Sequence, residues 1–346
     1  SLEIEGDAFI IATGSKPTLP KIPGIDLPEI YASEEIFNIN ELPDRLLILG
    51  GGVIAVEFAY LFNALGVDVT MVVRSRLLRT SVDNELATIL TNHMSSKGVD
   101  IRLKNNVESI IKVSDGLMAV IIDEEGNRCQ EHYSDVLVCT GRKANTHALH
   151  LHKAGIALDK HGYIEVDNRM RTNKPNVYAI GDVIGGMQLA HLASREGEIA
   201  VLNALGYEAV ADYRAVPNCV FTNPEIGCVG LTEAEAIAAG YQVKIGRFPF
   251  IASGKALADN ETLGLVKFVA DAKDDKILGV HIMGPQASVL ICEGVLALQM
   301  GASLSDITET IHAHPTLGEA FAEAALQAND RAFHLTKGIL RKIASL

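Results

Sequence analysis

The apolar run Leu46-Leu47-Ile48-Leu49 stops at three glycines, and Ile54, Phe58, Leu61, Phe62 and Leu65 then recur at helical spacing up to Gly66. Four apolar residues in a row suit a parallel strand covered on both faces, and the 3.6-residue recurrence suits a helix closed by glycine. With Val69–Val73 as the next strand, the pattern predicts a βαβ unit. Asn84 to Ser96 predicts a second helix, ended by Gly98, and Val99 to Arg102 a third strand. Val107–Val113, Leu117–Asp123 and Cys129–Tyr133 read as strands, the last two joined by the turn Glu124-Glu125-Gly126-Asn127, so this stretch is an antiparallel meander. Asp135 to Thr140 is another buried strand, ending in Gly141-Arg142. An earlier strand through Phe9, Ile10 and Ile11 likewise ends in Ala12-Thr13-Gly14.

The strand Asn176–Ile180 runs into Gly181-Asp182, and a helix follows from Leu189 to Leu205. From Val216 the pattern changes to antiparallel strands near 218–222, 242–248, 265–270 and 277–283, with a Thr232-x-x-Glu235 capping box. A helix from Gln286 to Met300 and an Ala-rich helix to about Leu326 complete it. The expected fold is α/β. Two Rossmann-like nucleotide-binding domains are followed by a C-terminal α+β domain, divided as 1–43, 44–146, 147–215 and 216–346.

Composition narrows the class. A chain of 346 residues, 48% hydrophobic and 21% charged, is an ordinary globular protein of two or three domains. A formal charge of −13 without a basic stripe argues against nucleic acid and against an anionic membrane surface. The uncharged stretch Ile277–Cys292 is broken by His281, Gly284 and Pro285, so no membrane segment is expected. Five cysteines in no CxxC or Cys-x4-Cys pair fit buried thiols in a reducing, cytoplasmic compartment. The chain opens at Ser1 without a leader and reads as a piece of a longer protein.

Gly50-x-Gly52-x-x-Ala55 is a dinucleotide fingerprint in the right context. Gly50 makes the turn, Gly52 lets the backbone approach a diphosphate, and Ala55 lets the helix pack on the strand. Gly51, Val53 and Ile54 complete the stretch whose free N–H groups receive the diphosphate at the helix start. An acidic residue is expected at the end of the second strand to hold the ribose hydroxyls of NAD, but Val73 stands there, followed by Arg74, Arg76 and Arg79. Arginines beside an uncharged strand end suit a 2′-phosphate, though they read equally as solvated loop charges.

Taken together, the Gly50 fingerprint with Glu57, the Ala12-Thr13-Gly14 and Gly181-Asp182 endings, Leu189-Ala190-His191 and His314-Pro315-Thr316-x-x-Glu319 resemble the pyridine nucleotide–disulfide oxidoreductases. The resemblance covers nearly the whole chain, and the C-terminal half is most similar to the dihydrolipoamide dehydrogenase branch. It implies that His314 is the acid and base serving redox thiols and that Glu319 orients it. It implies FAD contacts at Thr13, Gly14, Asp182, Met187, Gln188, Leu189, Ala190 and His191. Val107 and Gly141 would line the nicotinamide nucleotide site, and Glu57 would pair with a lysine beside the flavin. His312 is a neighbour without an assigned role. The implied cofactors are FAD and NAD, with NADP as the alternative. The implied assembly is a homodimer involving Val289–Met300, with a lipoyl-bearing acyltransferase of a 2-oxo acid dehydrogenase complex as its partner.

Two departures stand out. The first flavin-binding GxGxxG, the Cys-x4-Cys pair and the lysine expected opposite Glu57 are absent from these residues, and Val73 replaces the acid. The expected function is oxidation of dihydrolipoamide by NAD+ through FAD. Its alternatives are a glutathione-reductase-like, NADPH-dependent disulfide reductase and a nucleotide-binding remnant that catalyses nothing.

Overall fold

Leu46, Leu47 and Ile48 have no exposed surface in the computed structural model of the chain, which describes residues 3–80 and 82–335. They lie in a fold of two units. The described residues up to Pro20 together with Thr140–Tyr213 form one; Lys21–Cys139 and the described residues from Arg214 form the other.

In chain order the first elements are β1 (Phe9–Ile11), β2 (Ser15–Pro17), β3 (Ile30–Ala32), β4 (Arg45–Leu49), α1 (Val53–Ala64), β5 (Asp68–Val73), α2 (Asn84–Ser96) and β6 (Asp100–Leu103). Then come β7 (Asn106–Val113), β8 (Gly116–Ile122), β9 (Arg128–Tyr133), β10 (Asp135–Val138), β11 (Arg142–Ala144), α3 (Leu151–Ala154), β12 (Val177–Ala179) and α4 (Ala190–Ala204). The C-terminal part holds β13 (Asn218–Val220), β14 (Glu225–Gly230), α5 (Glu233–Ala238), β15 (Val243–Pro249), α6 (Gly254–Asp259), β16 (Leu265–Asp271) and β17 (Ile277–Gly284). It closes with α7 (Ala287–Met300), α8 (Leu304–Glu309) and α9 (Glu319–Gln327). Residues 336–346, the far end of the expected interface domain, lie outside the described residues.

In the smaller unit β1 pairs in parallel with β12, and β2 pairs antiparallel with β11. Its core is Leu151, Ile156, Ile164, Ala179 and Val183, with Met170, Tyr178, Ile199 and Ala200 gathered at α4. The larger unit holds the parallel sheet β3-β10-β4-β5-β6, the meander β7-β8-β9 and the antiparallel sheet β13-β14-β17-β16-β15. Neither β3 nor β14 was expected from the sequence: one is only three residues, just past Pro28, and the other, Glu-Ile-Gly-Cys-Val-Gly, is interrupted by glycine.

The apolar stripe expected on α1 is corrected. Leu61 and Leu65 are 44% and 53% exposed, whereas Ala55, Val56, Ala59 and Phe62 face inward. A helix lying close on a sheet needs small residues at the contact, so alanines displace leucines there. The expectation of buried thiols also fails in part: Cys228 is buried, but Cys129 and Cys292 are exposed. Burial alone pushes the largely buried Cys139 thiol up to about 12.

The C-terminal sheet has two apolar faces. Phe248, Val266, Phe268, Val280 and Ile282 pack with Ile291, Leu304 and Phe321 of the helices. Val220, Ile226, Leu265 and Met283 instead join one core with Leu46, Ile48, Met71, Leu86 and Leu90 of the parallel-sheet layer. The alternation along β16 explains this, because residues two apart share a face.

His281 is 1% exposed in this second layer; its Nε2 lies 3.0 Å from the Leu231 carbonyl and its Nδ1 has no partner. Burial holds its pKa below the ordinary 6.5, against the opposing pull of the Leu231 carbonyl and Asp83. A base with a depressed folded pKa binds fewer protons than in the unfolded chain, so its stabilisation is complete above about 6.5 and falls as pH drops below it. Urea unfolding between pH 7 and pH 5 should therefore lose at most about 1.4 kcal/mol per pH unit through His281. His281→Gln, which keeps an N–H for Leu231, should flatten that limb; an identical limb in the variant would assign it to other groups.

Candidate coenzyme and proton-transfer sites

In the larger unit β4 delivers the chain to Gly50 at φ +126°, where the Gly50 N–H donates to the Val72 carbonyl at 3.1 Å. Only glycine holds that conformation without strain. A Cβ on Gly51 would lie 2.5 Å from Val73 Cγ1, so the backbone passes too close to β5 for any side chain. A Cβ on Gly52 would meet nothing within 4 Å, so the loop opens onto free space there. Helix α1 starts on Gly52 without a side-chain cap, as do α3, α4, α7 and α9, whereas α2, α5, α6 and α8 are capped by Asp83, Thr232, Ser253 and Ser303. Uncapped first-turn amides of Val53, Ile54 and Ala55 beside open space are what a diphosphate requires. Ala55 itself is fully buried.

Val73 is 3% exposed, and Arg74 and Arg79 lie on the surface. Arg76 differs from both. Its guanidinium donates to the carbonyls of Leu77, Leu78, Arg79 and Val82 at 3.0 to 3.3 Å, so it braces its own loop. Burial, only partly offset by Asp83, lowers its pKa. Val107 is 3% exposed and registers with Ile121 across β7 and β8, which leaves only its backbone for any ligand.

The smaller unit gathers the other expected residues around two glycine turns. Gly14 at φ +68° and Gly141 at φ +129° each have nothing within 4 Å of a would-be Cβ. Thr13 Oγ1 donates to the Asn145 carbonyl at 2.9 Å, and Asn145 returns a side-chain bond to the Thr13 carbonyl at 3.1 Å. Asp182 Oδ2 accepts from Ser15 Oγ at 2.5 Å and lies 3.9 Å from Arg142 Nε, which itself reaches Ser15 Oγ at 2.6 Å. The turn is also tied from behind: Gly181 N–H donates to buried Glu196 at 2.7 Å, and Tyr213 donates to the same carboxylate at 3.0 Å. Burial and then the Glu196 charge push Tyr213 up to about 12. Met187 is 48% exposed, Gln188 has φ +54°, Leu189 caps α4 without a side-chain bond, and Ala190 and His191 are exposed.

Sequence reasoning missed Ser15, Arg142, Glu196 and Tyr213 as supports. Only Glu196 left a signal, as a charged residue in register with the buried Leu192, Ile199 and Asn203 of α4.

The proton-handling pair lies in the larger unit. His314 Nδ1 is 2.7 Å from Glu319 Oε1, and Glu319 Oε2 accepts the Thr316 N–H at 2.8 Å. A carboxylate only accepts, so Nδ1 carries the proton and Nε2 keeps its lone pair. The His314 side chain is 75% exposed and Glu319 26%. Burial acts to raise the Glu319 pKa, yet the Thr316 amide and His314 together hold it below the ordinary value. The neighbouring His312 is bound on both nitrogens, to the Thr310 carbonyl at 3.0 Å and to Glu293 at 2.9 Å. Glu57, expected opposite a lysine, accepts the Phe221 N–H at 2.8 Å, and burial raises its pKa.

The family description pyridine nucleotide-disulphide oxidoreductase matches residues 1–197, and the dimerisation domain of the same family matches residues 216–325. The chain belongs to this family, and it is an oxidoreductase. It is 42% identical over 342 residues to a dihydrolipoyl dehydrogenase of Thermus scotoductus, covering 96% of this chain and 74% of that protein. A dihydrolipoyl dehydrogenase of Bacillus subtilis is 40% identical, over 94% of this chain and 69% of its own length. Among solved structures, the HOCl-induced flavoprotein disulfide reductase RclA of Escherichia coli superposes with a TM-score of 0.86 at 32% identity, covering 94% of this chain and 74% of that one. LpdA of Mycobacterium tuberculosis gives 0.84 at 28% identity, over 92% and 69%. No helix among the described residues is long and apolar enough to cross a membrane, and no cluster there would hold a metal ion.

Proposed function

We propose that the chain serves a flavin-dependent oxidoreductase of the dihydrolipoyl dehydrogenase type, converting dihydrolipoamide and NAD+ to lipoamide and NADH. The observation that carries the reading is the His314–Glu319 pair. Oxidising a dithiol to a disulfide releases two electrons and two protons; the electrons and one proton leave as hydride on the nicotinamide, and a base must take the other proton. His314 is that base, with Nε2 open to the thiol and Nδ1 held by Glu319. FAD, when bound, supplies the two-electron relay between the dithiol and the nicotinamide.

Thr13, Gly14, Asp182 and residues 187–191 would hold the flavin nucleotide, with Asp182 taking a ribityl hydroxyl. The open glycine turns and the uncapped start of α4 fit that group. Gly50–Ala55 would hold the diphosphate of the nicotinamide nucleotide, within a coenzyme domain spanning about 44–146. The exposed Val289, Leu296 and Met300 of α7 and Ile311 beside it favour a homodimer through the C-terminal domain. A lipoyl-bearing acyltransferase subunit is the matching partner.

Coenzyme choice is where a second reading has support. Val73 offers no acceptor to the ribose hydroxyls, while Arg74 and Arg79 are exposed and carry no ion pair among the described residues. A charge-assisted bond to a 2′-phosphate contributes about 1.5–3 kcal/mol, which favours NADPH and the glutathione-reductase-like alternative. Calorimetric titration of the chain should therefore show binding of both NADH and NADPH without a tenfold preference for NADH. Val73→Glu should move the ratio toward NADH. A wild-type preference of tenfold or more for NADH would mean that the arginines take no part. The activity itself is tested by lipoamide-dependent NADH oxidation in a form of the protein that carries a Cys-x4-Cys pair.

A further inference from the structure

The loop that leads to α2, described at residues 74–80 and 82, presents Arg74 and Arg79 and is held at three places. In its middle Leu78 N–H donates to the Gly51 carbonyl at 2.7 Å. Nearer its start Arg76 gathers four of its carbonyls. Its end runs into Asp83, 3% exposed, which caps α2 through the Glu85 N–H at 3.0 Å. The same carboxylate is gripped from the C-terminal sheet. Lys267 Nζ, 2% exposed, lies 2.9 Å from Asp83, 3.0 Å from Glu85 and 2.7 Å from Glu233. Asp83 also accepts the first amide of α5, from Glu233, at 3.3 Å.

Lys267 is part of a polar row that crosses the whole sheet in register: Asn218, Cys228, His281, Lys267 and Arg247 on five adjacent strands. Arg247 completes the grip, 2.9 Å from Glu85 and 3.3 Å from Glu233. Packing alone would place apolar residues in this layer, as it does one row away at Leu265 and Met283. One buried cation, Lys267, and the partly exposed Arg247 instead meet three carboxylates at the starts of α2 and α5.

We infer that Lys267 is a positioning residue for coenzyme selection: through Asp83 it holds the described part of the loop before α2 so that Arg74 and Arg79 face the ribose end of the nucleotide. The inference rests on the coenzyme reading above. A rigid loop puts the arginines in reach of a 2′-phosphate without an ordering cost on binding, and a loosened loop loses that contact while leaving the diphosphate site at Gly50–Ala55 intact.

The experiment measures NADH and NADPH affinity and the thermal midpoint on the same samples of the full chain. Asp83→Asn keeps a good helix cap, since Asn and Asp cap equally well, but removes the charge that Lys267 holds. It should weaken NADPH by roughly three- to tenfold relative to NADH, the usual size of a coupling carried through a packed network. Combining it with Arg79→Ala should add little further loss of NADPH, because both changes remove one contact. Lys267→Arg, which preserves the charge, should keep the wild-type ratio. Glu233→Gln, at the solvent edge of the network, should shift the ratio in the same direction by less and remains informative if Asp83→Asn fails to fold. Equal losses for both nucleotides, or an unchanged ratio with a lowered midpoint, would reduce Lys267 to a structural role and overturn the inference. A wild-type chain that binds neither nucleotide overturns the coenzyme reading itself.

Discussion

His314→Gln lowers dithiol-dependent turnover by about 10²–10⁴-fold in a form of the protein carrying the redox cysteine pair, the usual share of general acid–base catalysis. Nucleotide affinity should not change, because the His314 side chain is mostly solvent-exposed and pairs with Glu319, not with a core residue. Glu319→Gln should cost less, since glutamine still accepts from Nδ1–H but no longer stabilises the imidazolium. The pH window follows from the sign of the Glu319 shift. Its folded pKa is below the ordinary 4.5, so the pair's contribution is complete above that value and is lost only as pH falls through the lower folded one. Glu319 should therefore stay ionised and keep its bond to His314 across neutral pH. Steady-state kinetics at several pH values, with NADH titration as the control, measure all of this. A His314→Gln rate equal to wild type would leave the pair a loop fastener with no part in proton transfer.

Lys267→Met should lower unfolding free energy by about 3–5 kcal/mol, because removing one member of a buried ion pair strands its partners without a counter-charge. Asp83, Glu85 and Glu233 all lie within 3.0 Å of the lysine, and Asp83 is as buried as Lys267. Burial works against both charges, yet the pairing wins: Lys267 stays above its ordinary 10.5 and Asp83 below 3.8. For the raised lysine the stabilisation is present below about 10.5 and is lost above the folded value. For the depressed aspartate it is present above about 3.8 and is lost below the folded value. The Lys267→Met deficit should therefore be flat between pH 7 and pH 9, above the limb assigned to His281. Urea unfolding of both proteins at those two pH values is the check. A deficit under about 1 kcal/mol would class the cluster with exposed pairs such as Arg195–Glu198, both partners of which are over 60% exposed.

Local order was legible because it is written in local periodicity and end signals. The bounds Asn84–Ser96 of α2, the Thr232–Glu235 capping box and the antiparallel meander 106–133 all appear as read. So does the strand-turn-helix at Gly50, since the run of apolar residues and the glycines dictate it together. The His314–Glu319 contact, 2.7 Å here, was expected only because the motif resembles that of the family. Tertiary structure alone decided the rest. Ser15 meets Asp182 across 167 residues, Glu57 meets Phe221 across 164, and Lys267 meets Asp83 across 184. Arg76 turned inward while Arg74 and Arg79 stayed out, and α1 buried its alanines in place of Leu61 and Leu65. Periodicity says which residues share a face but not what that face will meet. Which charges find partners, and which loops are held, is settled only when separate strands and helices stack, because burial and Coulomb energy depend on distance in space.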